Sequence, residues 1–405
     1  MASYNLSNIP GFNEVIKTGI INTKYETYYS VNNYSTKANH KYFIIRYNKE
    51  LLSSDLIHTY GLLRSVVVSG NLIVAFAPPK AISGENFMVK YPTKTNSIVA
   101  QDFIEGTMIN VFFDHTYCCW QISTRNTVGA EVSFYKLSKH TFNQMFVEAC
   151  LHNNININTL NPSYCYSFVL QHPENRIVVP FKTPQLFLVA VYEIIQKEDN
   201  VIVIEQSLNE VKQHGLWSMT GIKFPETYQF TSYTELIQKF ASANTPYDIM
   251  GIVVKNTETG ERTKFRNPIY EEVRQLRGNQ PKLQYQYLCL RHSGKLPDFL
   301  KYYPESKTEM SNFREQVHMF TNTLHQNYMS CYVKKEHPLR DYPAQYKTHM
   351  FKLHDFFRTD LRPHNLCVTN TVVINYVNKL HPSLLMYCLN HHMRKNMVDT
   401  IKCNM

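Results

Sequence analysis

The segment QDFIEGTMINVFFD, residues 101–114, is an apolar run interrupted by a single acid-glycine pair, Glu105 and Gly106. Its β-branched and aromatic residues are typical of a β-strand, so we expect one strand across the segment. Glycine inside a strand weakens it and marks a bulge or a close approach of another backbone. The segment therefore predicts a strand in which Gly106 marks a bulge or a close approach of another backbone.

The sequence around this segment is rich in strand signals from residue 41 to residue 265. Short apolar or aromatic runs are bounded by turn residues, as in KYFIIRY, NRIVVPF and QLFLVAVYEI. IMGIVVK and RTKFR flank the turn NTETGE and predict a final hairpin. Helical segments such as SKHTFNQMFVEACL lie between the strands. The fold class is therefore predicted to be α+β, with mostly antiparallel sheets.

A change of pattern begins at Asn267. Asn267 is a suitable N-cap, Pro268 suits the first helical position, and Gly278 suits the end of that helix. Apolar residues then recur at helical spacing: Phe313, Val317, Phe320, Leu324 and Tyr328. We expect three regions: an N-terminal extension packing on the first domain (1–40), the strand-rich domain (41–266) and an all-helical C-terminal domain (267–405).

Composition narrows the functional classes. Among the 405 residues, 42 Lys and Arg exceed 32 Asp and Glu, which gives a net charge of +10 and favours a polyanionic partner if the charge is clustered. Nine Cys lack a CxxC pair, and the many His lack an HExxH motif, so no metal site is predicted. No secretory signal and no apolar run of about 20 residues is visible, so we expect a cytoplasmic protein without a membrane partner.

The order of the motifs resembles the RNA ligase 1 family of the covalent nucleotidyltransferase superfamily, from about residue 41 to residue 266. Six segments carry the resemblance: YGLLRSVVV-SGNLIVAFAPPKAISGENF, FIEGTMINVFFD, ISTRNTVGAE, YSFVLQHPENRIVVPF, IMGIVV and TKFR. They stand where the family has an arginine-bearing strand pair with a lysine loop, the nucleophile motif KxDG, a basic strand end, an acidic strand, EGxVV and KxK. The resemblance implies a nucleotidyltransferase domain.

The same resemblance implies that this chain has lost the ligase reaction. In this family a lysine attacks the α-phosphate of ATP, AMP passes to an RNA 5′-phosphate, and a 3′-hydroxyl then displaces AMP. Phe103 stands at the position of that lysine, and phenylalanine cannot form a phosphoramide. Ser167 and Met250 stand where the family has glutamates. The absence of those two carboxylates removes negative charge that would help recruit Mg²⁺. We therefore expect Phe103 to fill the core of a strand, and no catalytic residue at these three positions.

Basic residues remain where the family faces phosphates, and we expect them to bind phosphate or RNA: Arg64, Lys80, Arg125, Lys264 and Arg266. The alternative for Arg64, Lys264 and Arg266 is that they are solvated charges at strand ends. Glu105 and Gly106 are expected in the nucleotide pocket. Glu105 suits ribose binding and an ion pair with Arg64 or Arg125 equally well.

A second basic region is the segment of residues 255–301, which contains ten Lys and Arg against five Asp and Glu. If QPKLQYQYLCLRH is extended, Tyr285 and Tyr287 lie on one face, and cations with stackable rings are typical of single-stranded RNA binding. The alternative is a solvated face bordering the second domain.

Three functional hypotheses follow. The first is a ligase-like protein without ligase chemistry that binds RNA or a nucleotide, with a protein partner on the helical domain. The second is an active ligase that uses ATP and Mg²⁺ with a relocated lysine, Lys90 or Lys94. The third is a structural or assembly protein. Abundant Asn, Ile, Lys and Tyr are typical of an AT-rich genome such as those of large DNA viruses, which would place the protein in host cytoplasm or a virion.

Overall fold

The structure is a computed structural model that describes residues 1–134, 140–280 and 282–392. It divides into two compact units, of which the first ends at Arg274 and the second begins at Gln275. The expected division after residue 266 precedes a helix, whereas the observed one lies inside that helix. The described residues of the first unit form three antiparallel sheets and those of the second are helical, which confirms the α+β class and the helical C-terminal region.

The largest sheet has six strands in the order β1-β11-β10-β9-β7-β8. Its strands are β1 (Ser3–Asn5), β7 (Thr107–Asp114), β8 (Cys119–Ser123), β9 (Tyr164–Gln171), β10 (Gln185–Lys197) and β11 (Asn200–Glu205). All its pairings are antiparallel. Nearly every residue of β9 is buried because this strand lies inside the sheet and both its faces are covered.

Two four-stranded sheets complete the first unit. One contains β2 (Tyr29–Ser35), β3 (Lys41–Tyr47), β4 (Val66–Ser69) and β5 (Leu72–Phe76) in that order. The other contains β6 (Ile98–Asp102), β12 (Thr227–Tyr228), β13 (Gly251–Asn256) and β14 (Arg262–Arg266), in the order β12-β6-β13-β14. The predicted hairpin of IMGIVVK and RTKFR is the β13–β14 pair.

The first 40 residues belong to these sheets. β1 pairs with β11 at the edge of the six-stranded sheet, and β2 pairs with β3 along its whole length. The buried side chains of Tyr4, Phe12 and Tyr29 join the same apolar core as those of β4 and β5. The expected extension therefore supplies strands and core of the first unit.

Helices of the first unit cover the sheets, and short 3₁₀ turns connect many of the elements. They are α1 (Phe12–Thr18), α2 (Gly84–Lys90), α3 (Phe142–His152), α4 (Leu208–Gln213), α5 (Gly215–Ser218) and α6 (Tyr233–Phe240). α3 is the helix predicted from SKHTFNQMFVEACL, of which residues 138 and 139 lie outside the described residues. Thr141 caps it through a capping box with Gln144, which satisfies backbone donors of the first turn.

The helical region starts with α7 (Pro268–Arg277), which links the units. Asn267 caps it as predicted, because its Oδ1 accepts a hydrogen bond from the Ile269 amide at 2.9 Å. The following helices are α8 (Leu283–His292), α9 (Leu296–Tyr302), α10 (Lys307–Tyr328), α11 (Ala344–Phe356), α12 (Asn370–Asn378) and α13 (Pro382–Leu389). Val317, Phe320 and Leu324 of α10 are buried, as the helical spacing predicts.

Candidate anion-binding site

The opening segment is two strands rather than one. β6 ends at Asp102 in a four-stranded sheet, and β7 begins at Thr107 in the six-stranded sheet, so the intervening residues cross between sheets. Gly106 has a φ of +150°, and a Cβ there would lie 2.5 Å from the Leu170 carbonyl oxygen. Glycine is therefore required where the chain passes β9, since any side chain would collide with that backbone.

Phe103 begins this crossing and is half-buried, so it does not fill the core of a strand as expected. The Lys264 Nζ lies 4.5 Å from the centroid of its ring, and the Arg266 Cζ lies 5.4 Å from the same centroid. The negative face of an aromatic ring attracts cations at such distances. Phe103 thus provides a surface on which two basic side chains rest.

Strand alternation places the basic residues of β14 together. Thr263 and Phe265 are buried on one face of β14, and Arg262, Lys264 and Arg266 project from the other. Gly251 pairs with Arg266 across the hairpin, and a Cβ at Gly251 would lie 2.1 Å from the Phe265 carbonyl oxygen. The glycine of the IMGIVV motif is therefore needed for strand packing, whatever residue precedes it.

Arg64 and Lys80 join these residues from the loops flanking β4 and β5. The carbonyl oxygen of Pro78 accepts hydrogen bonds from Arg64 at 3.5 Å and from Arg262 at 3.2 Å. Arg262 also donates to the Pro79 carbonyl at 2.8 Å. The shared Pro78 carbonyl oxygen holds the two guanidinium groups side by side. We call Arg64, Lys80, Arg262, Lys264 and Arg266 the cation cluster.

The pKa values reflect this crowding of like charges. Burial, followed by the positive charge of Arg262, lowers the pKa of Lys264 to about 6. The same two causes lower the pKa of Arg64 to about 10. Burial and then Arg64 also lower the pKa of Lys80. At neutral pH the Lys264 amine is therefore largely neutral, and a bound anion would favour its protonation.

Arg125 adjoins the cation cluster. It follows β8, and its carbonyl oxygen accepts a hydrogen bond from Ser65 Oγ at 3.2 Å, next to Arg64. Its guanidinium lies 5.2 Å from the centroid of the Tyr47 ring. The structure thus brings together all five predicted phosphate-facing residues and adds Arg262, which the alternation of RTKFR would have revealed.

Glu105 is held by hydrogen bonds from other residues of the first unit. Its buried carboxylate accepts hydrogen bonds from the Val178 amide at 2.9 Å and the Val179 amide at 3.2 Å, and from the Tyr270 hydroxyl. Burial raises its pKa, and these hydrogen bonds oppose that rise. In the described part of the chain, the expected ion pair with Arg64 or Arg125 does not form.

The positions that carry glutamate in the resembled family are occupied by uncharged groups. Ser167 is buried in β9 and its Oγ donates to Asn110 Oδ1 at 2.8 Å, while Met250 directly precedes β13. No group of three or more His, Cys, Asp or Glu residues in the described ranges could hold a metal ion. Ser167 and Met250 therefore supply no carboxylate ligand to a Mg²⁺ ion.

The two lysines considered as relocated nucleophiles have other contacts. Lys90 Nζ lies 2.7 Å from a carboxylate oxygen of Glu261, and this hydrogen bond raises the pKa of Lys90. Lys94 donates to Gln229 at 3.2 Å and lies over the Phe230 ring at 5.1 Å. A nucleophilic amine must be neutral, so the protonated Lys90 is poorly suited to the role.

The second basic region does not present its aromatic residues as expected. QPKLQYQYLCLRH forms α8 from Leu283 onward. Because the segment is helical, Tyr285 and Tyr287 do not lie on one face of an extended strand. Tyr287 is buried and packs against Phe313, with ring centroids 5.8 Å apart. Its ring is therefore unavailable for stacking with RNA bases.

The sequence is similar to two curated viral proteins, although no family model matches it. One is the immediate-early protein ICP-46 homolog of Invertebrate iridescent virus 6, 25% identical over 289 residues, which cover 67% of this chain and 61% of that protein. The other is an RNA ligase of Rhodothermus phage RM378, 23% identical over 310 residues, which cover 66% of each. The chain is similar in sequence to a phage RNA ligase. This similarity confirms the resemblance inferred from motif order.

Two solved RNA ligase structures are also similar to this chain. An archaeal ATP-dependent RNA ligase is 11% identical with a TM-score of 0.42, over 76% of this chain and 74% of that one. A Naegleria gruberi RNA ligase is 11% identical with a TM-score of 0.36, over 48% of this chain and 57% of that one. The alignments to the curated relatives span just under two thirds of those proteins' lengths. No described helix of this chain is long and apolar enough to cross a membrane.

Proposed function

We propose that this chain is an RNA ligase-like protein that binds RNA or a nucleotide through the cation cluster and has lost ligase chemistry. The observation that carries the proposal is the setting of Phe103. An aromatic ring stands at the motif position of the nucleophilic lysine, and Lys264 and Arg266 rest on it. The site therefore offers positive charge to phosphates without a nucleophile at that position.

The electrostatics support an anionic ligand. Like charges crowded in a partly buried site destabilise the unliganded protein, because each cation disfavours its neighbours. Phosphates would offset this repulsion and would accept hydrogen bonds from the guanidinium groups. RNA as the partner is also supported by the relationship to a phage RNA ligase.

A second candidate is an active nucleotidyltransferase that uses Lys264, favoured by the lowering of the pKa of this lysine to about 6. A neutral Lys264 amine would attack the α-phosphorus of ATP; a P–N bond would form, the bond to the β-phosphate oxygen would break, and pyrophosphate would leave with that electron pair. The ammonium proton would pass to solvent. The third hypothesis, a structural or assembly protein, predicts neither affinity nor covalent labelling.

One pair of measurements tests these candidates. The protein is incubated with α-labelled ATP and divalent metal and run on a denaturing gel, beside a genuine RNA ligase. The proposal expects no labelled band, together with salt-dependent binding of short single-stranded RNA that weakens about tenfold or more in Arg64→Gln. Lys24→Gln, which removes an exposed positive charge elsewhere, is the matched control.

The outcomes separate the hypotheses. A labelled band that disappears in Lys264→Arg would establish the second candidate, because arginine keeps the charge and removes the nucleophilic amine. Absence of both label and RNA or nucleotide binding at low ionic strength would contradict the proposal and leave the structural hypothesis.

A further inference from the structure

Strand β2 (Tyr29–Ser35) is the outermost strand of its four-stranded sheet, with β3 on its inner side. The two strands pair along the whole length of β2 without a bulge. At the two ends of β2, the Tyr28 carbonyl oxygen accepts from the Asn48 amide at 2.7 Å, and the Thr36 amide donates to the His40 carbonyl oxygen at 3.0 Å. Even-numbered residues therefore bond to β3, and odd-numbered residues direct their amides and carbonyl oxygens away from the sheet.

Three of these odd-numbered residues are accessible on the outer side of β2. Val31 is partly exposed, Asn33 and Ser35 are exposed, and Tyr29 is buried. Within the described ranges, the backbone amides and carbonyl oxygens of the three accessible residues have no hydrogen-bond partner on that side. A row of unpaired backbone donors and acceptors is a template for pairing with another strand.

The other sheet edges are short or covered. β1 has three residues and β12 has two. An amide of β5 donates to the Gln196 side chain at 3.0 Å, a carbonyl oxygen of β8 accepts from the Gly129 amide at 2.7 Å, and one of β14 accepts from the Ile82 amide at 3.0 Å. Among the described strands, β2 therefore differs from the other edges, because it is long and its outer side is uncovered.

The composition of β2 also permits pairing. Residues 27–36, TYYSVNNYST, contain no charged side chain and no proline. Natural edge strands commonly carry lysine, proline or a bulge that prevents another chain from pairing. Because this strip is uncharged, a second copy can approach it without like charges facing each other, although the whole chain has a net charge of +10. A second copy of this chain is therefore a suitable occupant.

We propose that β2 pairs with β2 of a second copy, antiparallel, about a two-fold axis at Asn33. In this register Asn33 faces Asn33 of the second copy, and Val31 faces Ser35. The pairing forms about six main-chain hydrogen bonds, two for each of the three facing pairs of outward-directed residues. The side chains of Asn32 and Tyr34 face each other across the same contact. Two four-stranded sheets thus join into one continuous sheet.

The size of this contact determines its expected strength. β2 has seven residues and is about 24 Å long, given a rise of about 3.4 Å per residue. One strand pair of this length covers less than the roughly 800 Å² per partner of a standard interface. We therefore expect a reversible dimer that forms at micromolar concentrations and above.

The test is sedimentation velocity of the full chain over a concentration series from about 1 to about 200 µM, the range in which a small interface associates. The sedimentation coefficient of wild type should rise with concentration. Asn33→Lys and Asn33→Asp should each weaken dimerisation about tenfold or more, because two like charges then face each other at the axis. Asn158→Lys, an equal change at an exposed position elsewhere, should dimerise like wild type. Circular dichroism checks that each variant is folded, which is expected because Asn33 is exposed.

A mixture of the two Asn33 variants tests the register itself. The introduced lysine of one copy would face the introduced aspartate of the other, so an equimolar mixture should form a heterodimer although neither variant dimerises alone. A dimer contact elsewhere on the surface would not show this rescue.

Three results would overturn the proposal. Wild type that stays monomeric at the highest concentration would leave the edge of β2 to a strand of a different polypeptide. Dimerisation that persists unchanged in Asn33→Lys would place the contact on another surface. Variants that fail to dimerise even when mixed would exclude a two-fold axis at Asn33.

Discussion

Two lysines of the β13–β14 hairpin, Lys255 and Lys264, lie in opposite electrostatic surroundings at the two ends of one sheet face. At one end, Lys255 of β13 pairs with Glu205 of β11, and Tyr4 donates to the same carboxylate at 3.1 Å. At the other end, Lys264 of β14 is surrounded by Arg262, Arg64, Arg266 and Lys80. Both lysines are only partly exposed, so desolvation acts on each of them. The contrast separates a charge that stabilises the fold from one that is retained at a cost in stability.

The first unit also contains a cavity, and this cavity lies beside the paired Lys255. A cavity of about 420 Å³ lies at the paired end, and its lining includes Tyr4, Glu205, Lys255 and Arg262. The charges of Lys255 and Glu205 already pair with each other, so this pair offers little to an anion. The cation cluster instead keeps positive charge that an anion would neutralise. The location of unpaired charge, and not cavity volume, therefore identifies the candidate site.

The largest expected effect concerns the paired end. Glu205→Ala should lower the free energy of unfolding by about 3 kcal/mol, because the Lys255 charge, with its side chain only 18% exposed, loses its partner. Urea unfolding monitored by circular dichroism measures the change, with the exposed Glu50→Ala as the control. Anion affinity should stay within about twofold of wild type, and a loss of stability below about 0.5 kcal/mol would contradict the comparison.

Glu105 tests whether an acid near the cation cluster also belongs to the fold. Glu105→Gln should lower the free energy of unfolding by about 2 kcal/mol, because an amide accepts the hydrogen bonds from Val178 and Val179 less strongly than a carboxylate. Urea unfolding and the affinities for AMP and deoxy-AMP are measured together. Unchanged affinities are expected; selective weakening of AMP would instead assign Glu105 to ribose binding. Glu315→Gln, at an exposed position, is the control.

Lys264→Met should change stability in the opposite direction. The variant removes a poorly solvated amine from among four other basic residues, so we expect the free energy of unfolding to rise by about 1 kcal/mol at pH 7. Sulfate and RNA binding should weaken about tenfold at pH 6. Thermal unfolding with and without sulfate measures both effects, beside the exposed Lys24→Met. Destabilisation by Lys264→Met would show that this lysine contributes to the fold, like Lys255.

The smallest expected effect is a dependence on pH. Since the pKa of Lys264 is about 6, this lysine is protonated below pH 6 and loses its charge as the pH rises above that value. A bound anion favours the protonated form, so affinity should fall a few-fold between pH 5.5 and pH 8. Calorimetry with sulfate, whose own charge is constant over this range, measures the change. Lys264→Arg should bind with little pH dependence, and an identical profile in this variant would assign the effect to another group.

The stability of the unliganded protein should change with pH in the opposite sense. Lys264 has a pKa of about 6 when folded and an ordinary value of 10.5, so between these values the unfolded chain binds more protons. This group therefore adds stability as the pH rises from 6 toward 10.

Periodicity and turn chemistry sufficed to predict two local elements of this protein. The pattern of β13 and β14 predicted their hairpin, and the Asn-Pro pair at residues 267 and 268 predicted the start of α7. Both signals are local, because hydrogen-bond donors and apolar faces are satisfied within a few residues. The motif order predicted the similarity to a phage RNA ligase.

Whether each charged side chain has an oppositely charged partner depends on contacts between residues far apart in the chain. Arg64, Lys80 and Lys264 belong to different strands and loops, and only folding brings them together. Tyr287 suited an RNA-stacking surface in sequence and is buried because its segment is helical. The sequence by itself determined which residues carry charge and where the β13–β14 hairpin and α7 form. Tertiary structure decided which charges are paired, because burial and neighbouring groups set the cost of each charge.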